Sequence, residues 1–239
     1  MLNLRCSTAI LYGRNWILDV RLWSGLAGFF LATSFSLTVV GQPIFPAISV
    51  RSEAIVSLDH DDVRKRAAAG AFIARTGLPV DGPLLVKRLS DDSPLVRELA
   101  QTGLWQVWSR SGDAETDRRL AAGIQQMSGG KIKEALHAFS HVIQRRPDFA
   151  EGWNKRATAY YLAGEFRKSL ADCAEVIKRN PQHFGALSGY GQIYFQLGEY
   201  DKSLEYYRRA LAVNPNMDGV QVNIRAIEVL LREKHKRMI

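Results

Sequence analysis

Pro147, Pro181 and Pro215 lie 34 residues apart, and Gly130, Gly164 and Gly198 repeat on the same period. The two residue types interrupt helices for different reasons. Proline lacks an amide hydrogen and glycine reaches positive φ without penalty. Two independent interruptions on one period of this length specify stacked helical hairpins, none of which can bury its apolar face alone. Three windows align without gaps: 116–149, 150–183 and 184–217. Each reads helix, tight turn, helix, exit proline. Such a chain offers a continuous surface and, by its architecture, no reaction centre.

The turn dipeptides are Gly129-Gly130, Gly164-Glu165 and Gly198-Glu199, where glycine can stop the first helix of each hairpin. Asn180-Pro181 and Asn214-Pro215 stop the second helix, because a residue before proline leaves the helical region. Apolar residues recur at helical spacing inside the windows. In the second, Trp153, Ala157 and Tyr160 face Phe166, Leu170, Cys173 and Ile177. In the third, Leu187, Tyr190, Gly191 and Tyr194 face Tyr200, Leu204, Tyr207 and Leu211. All of these are expected in the core, Trp153 included. Ala135, Ser169 and Ser203 occupy one repeated position and mark a close helix crossing.

This pattern resembles the tetratricopeptide repeat family. The marks are Trp153 and Leu187, the small residues Gly123, Ala157 and Gly191, the aromatics Tyr160 and Tyr194, and the closing prolines. The first window departs from it, with Arg119 at the large apolar position and Gln126 at the aromatic one. After Pro215, residues 218–235 form an amphipathic segment expected to cap the array. Upstream the period breaks. Leu84–Leu89, Asp91-Asp92-Ser93-Pro94 and Val96–Leu104 read as a further hairpin, similar to a HEAT repeat. A fainter copy runs through Leu58, Asp61-Asp62, Val63-Arg64 and Ala67. Aligning the two Val-Arg pairs, Val63-Arg64 and Val96-Arg97, sets these copies 33 residues apart. The expectation is therefore an all-α, right-handed solenoid: HEAT-like helices over 42–112, then three tetratricopeptide units and a capping helix over 113–239. Asp113 is placed to cap the first repeat helix.

Residues 1–41 have a different character. Arg5, Arg14 and Arg21 precede an apolar run from Leu22 to Val40, and residues 22–50 carry no charge. A basic flank before an apolar stretch reads as a cleaved secretory signal or as an uncleaved membrane anchor. Either places the repeats outside the cytoplasm, periplasmic, secreted or tethered, with 22–40 as the membrane contact. A transit peptide or a buried helix is the remaining reading. The chain has a net charge of +8, densest at Arg232, Lys234, Lys236 and Arg237, where cations suit the end of a helix. That cluster leaves an electrostatic binder of nucleic acid or anionic membrane as an alternative function, and a structural subunit of a larger envelope or enzyme assembly as another. Nucleic acid is the less favoured partner. With only Cys6 and Cys173, no disulfide framework is implied, and Cys173 falls at a packing position.

Reactive constellations are sparse. His137 and His141 stand one helical turn apart without a third ligand, and read as surface side chains. Ser128-Gly129-Gly130-Lys131 lacks the spacing of a phosphate loop, and its glycines are already needed for the hairpin turn. No catalytic residues, cofactor, metal or small-molecule substrate are implied. The remaining signal is a second stripe on the first helix of each hairpin. It comprises Asn154, Lys155, Thr158, Tyr161 and Leu162, then Ser188, Gln192, Phe195 and Gln196, and in the first repeat Leu120, Ile124 and Met127. The family resemblance implies that this stripe lines a concave groove that holds a protein or peptide partner. Amides would bond the partner's backbone, and Tyr161 and Phe195 would anchor it. For Leu120, Ile124 and Met127 a packing role against upstream helices near Trp105 and Trp108 is the competing reading. With basic residues absent from most of the stripe, a clamp for a chain-terminal carboxylate is not expected. The function expected is a non-enzymatic adaptor or scaffold.

Overall fold

The computed structural model describes residues 45–236, together with a short antiparallel backbone pairing of Thr38–Val39 with Gln42–Pro43. Apart from the backbone of Thr38 and Val39, the apolar run 22–40 lies outside the described residues, as does Cys6. Eleven α-helices follow among the described residues: α1 (Arg51–Ser57), α2 (Val63–Thr76), α3 (Gly82–Arg88), α4 (Pro94–Trp108), α5 (Ala114–Ser128), α6 (Ile132–Arg145), α7 (Ala150–Leu162), α8 (Phe166–Arg179), α9 (Phe184–Gln196), α10 (Tyr200–Val213) and α11 (Asp218–Lys236). None of them is long and apolar enough to cross a membrane.

Helices α5 to α10 form three hairpins, and each packs on the next. Their turns are set by Gly130, Gly164 and Gly198, at φ of 76°, 75° and 74°. The following amide closes a Schellman motif in every case. Lys131 N–H donates to Gln126 O, Glu165 N–H to Tyr160 O and Glu199 N–H to Tyr194 O, at 2.9 Å each. Asn180 and Asn214 accept from the amides of Gln182 and Asn216 at 3.1 Å, turning the chain around Pro181 and Pro215. Asp113 caps α5 by accepting from Thr116 N–H at 3.1 Å.

Inside each hairpin the helices cross closely. The Ser169 hydroxyl donates to Ala157 O at 2.7 Å and the Ser203 hydroxyl to Gly191 O at 2.6 Å. Partners across the crossing are matched in size: Gly123 lies under Phe139, Ala157 shares a cluster with Cys173, and Gly191 lies under Tyr207. Cys173 is buried among apolar neighbours, and burial, helped by the nearby Asp172 carboxylate, pushes its thiol up to about 12.

Trp153 departs from the expected core position. It is half-buried, donates its indole N–H to Pro147 O at 3.0 Å, and lies between the guanidinium groups of Arg156 and Arg179, at 5.1 and 4.8 Å from the ring. Two long cations cover the ring in place of apolar side chains. Arg119, at the odd position of the first repeat, is exposed and paired with Glu115 on its own helix.

Upstream, α1 packs on α2 and α3 on α4, with α2 and α4 joined through a shared core. The internal register of this lead-in is 31 residues, not the 33 that the Val-Arg pairs suggest. Arg66 donates to His60 O and Asp61 O, and Arg97 makes the same bonds to Asp91 O and Asp92 O. The N-caps Asp62 and Ser93, and the buried helix ends Leu58 and Leu89, keep that offset. Val63 opens its helix at the surface whereas Val96 is buried two positions deeper in the first turn, so the two valines are not equivalent.

The lead-in and the repeats share one core. Phe184, at the start of α9, is 2% exposed within the cluster of Leu85, Leu104 and Trp108. Asn214 donates to Gln101 Oε1 at 2.8 Å and Asn216 to Leu89 O at 2.7 Å. The last helix, α11, buries Val220 and Ile227 against α10 but leaves Val222, Val229 and Leu230 about half exposed. The cap therefore closes the array with a face that is only partly polar.

Candidate functional site

The inner helices of the second and third hairpins, α7 and α9, converge with α4 and the start of α11 on a cavity of about 260 Å³. From α7 come Asn154, Thr158 and Tyr161, and from α9 come Ser188 and Gln192. Helical spacing of three and four residues places each set on one face, turned away from the hairpin partner. Helix α4 adds Gln101 and Trp105, and α11 adds Asn223. Among the described residues, none that lines this cavity is charged.

A chain of hydrogen bonds holds the wall. Gln192 donates to the Tyr161 hydroxyl at 3.1 Å, and its oxygen accepts from the buried Tyr207 hydroxyl at 2.6 Å. Asn223 donates to Tyr207 at 3.3 Å, which ties α11 to α9 through α10. Burial keeps the Tyr207 phenol well above its ordinary range, with the Asn223 bond opposing only part of that effect, so it stays protonated as a donor.

Beneath one end of the cavity lies a buried ionic floor. Glu151 is fully buried and pairs with Lys155 at 3.0 Å. Its second oxygen accepts from Asn154 and faces His183 Nε2, each at 3.1 Å. Desolvation alone would raise the Glu151 carboxyl. The Lys155 ammonium and His183 outweigh it and hold the carboxyl below its usual value. His183 is fully buried, its Nδ1 accepts the Ala186 N–H at 3.0 Å and so caps α9, and its ring stacks on Trp108 at 4.5 Å. Nδ1 acting as acceptor assigns the proton to Nε2, which donates to Glu151.

The expected stripe thus divides. Asn154, Thr158, Tyr161, Ser188 and Gln192 line the cavity together. Lys155 is turned into the Glu151 pair and is 8% exposed. Phe195 packs on Tyr200 at 5.7 Å, in the last apolar cluster. Gln196 and Leu162 are exposed beyond the rim, with Gln196 reaching the Tyr161 hydroxyl at 3.4 Å. Leu120, Ile124 and Met127 do not line a groove: Leu120 and Met127 are buried against Phe139, Val142 and Phe149, with Ile124 packed on the same cluster. Nor do they meet Trp105 and Trp108, which pack on His183 and Phe184 instead. Their apolar side chains are taken up by the first hairpin's own core.

Sequence reasoning missed Gln101, Trp105, Asn214 and Asn223 as part of one site, because they come from outside the repeated stripe. His137 is exposed and His141 half-buried, and among the described residues no group of three or more His, Cys, Asp or Glu side chains could hold a metal.

The tetratricopeptide repeat family model matches residues 120–176 and again 155–218, the same hairpins that build the groove. These hairpins are tetratricopeptide repeats. The Sgt2 tetratricopeptide domain from Aspergillus fumigatus has the same fold, with 19% identity and a TM-score of 0.50 over 52% of this chain and 83% of that one. Two further structures are similar at 23% identity and TM-scores of 0.48. They are the first tetratricopeptide domain of human RPAP3, over 51% of this chain and 95% of that one. The other is the corresponding domain of Spaghetti (RPAP3) bound to an HSP90 peptide, over 50% and 96%. No curated protein matches the chain. In all three structures the likeness spans about half of this chain.

Proposed function

We propose that this tetratricopeptide protein is a non-enzymatic adaptor that holds a protein partner by a segment lying in the groove between α7, α9 and α4. The observation that supports this most directly is the uncharged row of Asn154, Thr158, Ser188 and Gln192 beside Tyr161, displayed from two consecutive inner helices onto one cavity. Amide and hydroxyl groups in such a row can bond a polypeptide backbone without demanding a particular side chain, and the aromatic ring supplies apolar contact. A photo-crosslinking residue at Thr158 tests the reading, with exposed Lys178 on α8 as control. Crosslinks should form from Thr158 and be lost when Tyr161 is replaced by Ala. Equal crosslinking from both positions, unaffected by Tyr161, would refute a groove-held partner.

The basic flank and apolar run before residue 41 support an exported or membrane-tethered location for the repeats. Cell fractionation with N-terminal sequencing decides between them. A shortened N-terminus in a soluble exported fraction supports a signal, an intact one in the membrane supports an anchor, and an intact chain in the cytosol refutes both.

A further inference from the structure

Resting on that reading of the groove, we infer that the binding site is a composite socket, completed by Gln101 and Trp105 of the lead-in, and that it selects an uncharged, extended peptide segment over an acidic or basic one. Three observations converge. First, the socket is not made by the repeats alone. Helix α4 is fastened across them by the Gln101–Asn214 bond and the Leu89–Asn216 bond, and by Trp105 and Trp108 against His183 and Phe184. Gln101 and Trp105 line the cavity itself.

Second, among the described residues the cavity wall contains no charged side chain, in a chain that carries 32 basic and 24 acidic residues. The one ionic group beneath it is internally compensated, with Glu151 bonded to Lys155, Asn154 and His183. A charged side chain or a terminal carboxylate entering the socket would lose water and gain no counter-charge, which is costly.

Third, the wall retains unused hydrogen-bonding capacity of both kinds. The amide nitrogen of Gln101 is a donor without a partner among the described residues, since only its oxygen is used. The side-chain oxygens of Asn154 and Asn223 are acceptors in the same position, since only their nitrogens are used. The Ser188 hydroxyl can serve either role and is likewise unengaged. Donor and acceptors set around a narrow space match the alternating N–H and C=O groups of an extended main chain. A helix satisfies those groups internally and would leave the wall unpaired. At about 260 Å³ the space lies just below the usual range for small-ligand pockets and suits a few residues, with one apolar side chain against Trp105 and Phe184.

Panning a random peptide display library on the full chain tests this, followed by binding of the enriched peptides, made synthetically, to Gln101→Glu and Gln101→Lys. Gln101→Glu keeps the oxygen that Asn214 uses. The expected peptides share a short uncharged run and bind with less than about twofold change between low and high salt. Both variants should weaken binding at least about tenfold, because either charge is stranded in the socket; Gln101→Glu should do so at unchanged melting temperature, whereas Gln101→Lys also gives up the Asn214 bond and should melt lower. Enriched peptides that are charged, or opposite effects of the two Gln101 variants, would overturn the selectivity. Peptides weakened by Tyr161→Ala but indifferent to both Gln101 variants would overturn the composite socket and leave the groove reading standing. Failure to enrich any peptide would overturn both.

Discussion

Gly191 and Gly189 stand two residues apart on α9, and the same substitution at each should change stability in opposite directions. A Cβ on Gly191 would meet Tyr207 Cδ1 at 2.5 Å and Cε1 at 2.7 Å. Tyr207 cannot yield cheaply. It is fully buried, and its hydroxyl is bonded to Gln192 and Asn223. Overpacking of this kind costs about 1–3 kcal/mol, and dislodging a buried bonded hydroxyl about 1–3 more. Alanine's better helix propensity returns about 1 kcal/mol. The net loss for Gly191→Ala is therefore about 1–5 kcal/mol by these same terms. A Cβ on Gly189 would touch only Cys173 Sγ, at 3.8 Å, an ordinary contact. Gly189→Ala should keep the propensity gain of about 0.5–1 kcal/mol. Urea unfolding followed by circular dichroism measures both.

The second repeat supplies an internal control, because it pairs Ala157 with the smaller Cys173 where the other two pair glycine with an aromatic. Gly191→Ala combined with Tyr207→Cys should thus cost less than the sum of the single changes, by about 1–2 kcal/mol. Equal effects at positions 189 and 191, or strict additivity in the double variant, would refute the close crossing as the source of the pattern.

Three further outcomes follow from the same contacts. Replacing Glu151 by Ala removes the buried carboxylate that faces Lys155 and accepts from Asn154 and the His183 N–H, and should cost about 3–5 kcal/mol, read by chemical denaturation. The depressed folded-state value of Glu151 also sets a sign. Its contribution is present above the unfolded value of 4.5 and is lost as pH falls below that, so acid titration should destabilise wild type more steeply than Glu151→Ala. Trp153→Ala should cost only about 1–2 kcal/mol, the scale of its cation contacts rather than of a buried indole; a loss matching a core tryptophan would contradict the half-buried geometry. Cys173, with its thiol pushed up to about 12, should resist alkylation at neutral pH in the native protein and react on unfolding, as peptide mass mapping would show.

The hairpins were legible because their determinants are local. Gly164 ends α7 with a bond from its own amide to Tyr161 O and one from the next amide, Glu165, to Tyr160 O, and Asn180-Pro181 ends α8 within two residues. Such signals survive in any window of sequence. The core stripe was legible for the same reason, with Trp153 and Tyr160 the exceptions: Arg156 on the same helix lies over both rings, and Arg179 and Lys168 from the next helix complete a sheath of cations in place of apolar groups. Part of the groove followed too: Asn154, Thr158 and Tyr161 share a face by spacing alone. The stripe in the first hairpin did not, since spacing cannot tell an apolar face turned to a partner from one turned to its own core.

What the residue order determined by itself is the repeating unit: where each helix stops, which face is apolar, and that the units must stack. What only the tertiary structure decided is how the lead-in closes on them. Gln101 meets Asn214 across 113 residues and Leu89 meets Asn216 across 127. Contacts at that separation leave no periodic trace, because they depend on the accumulated curvature of every hairpin between them. The socket's neutrality arises in the same way, from side chains of five helices that become neighbours only once the array is built.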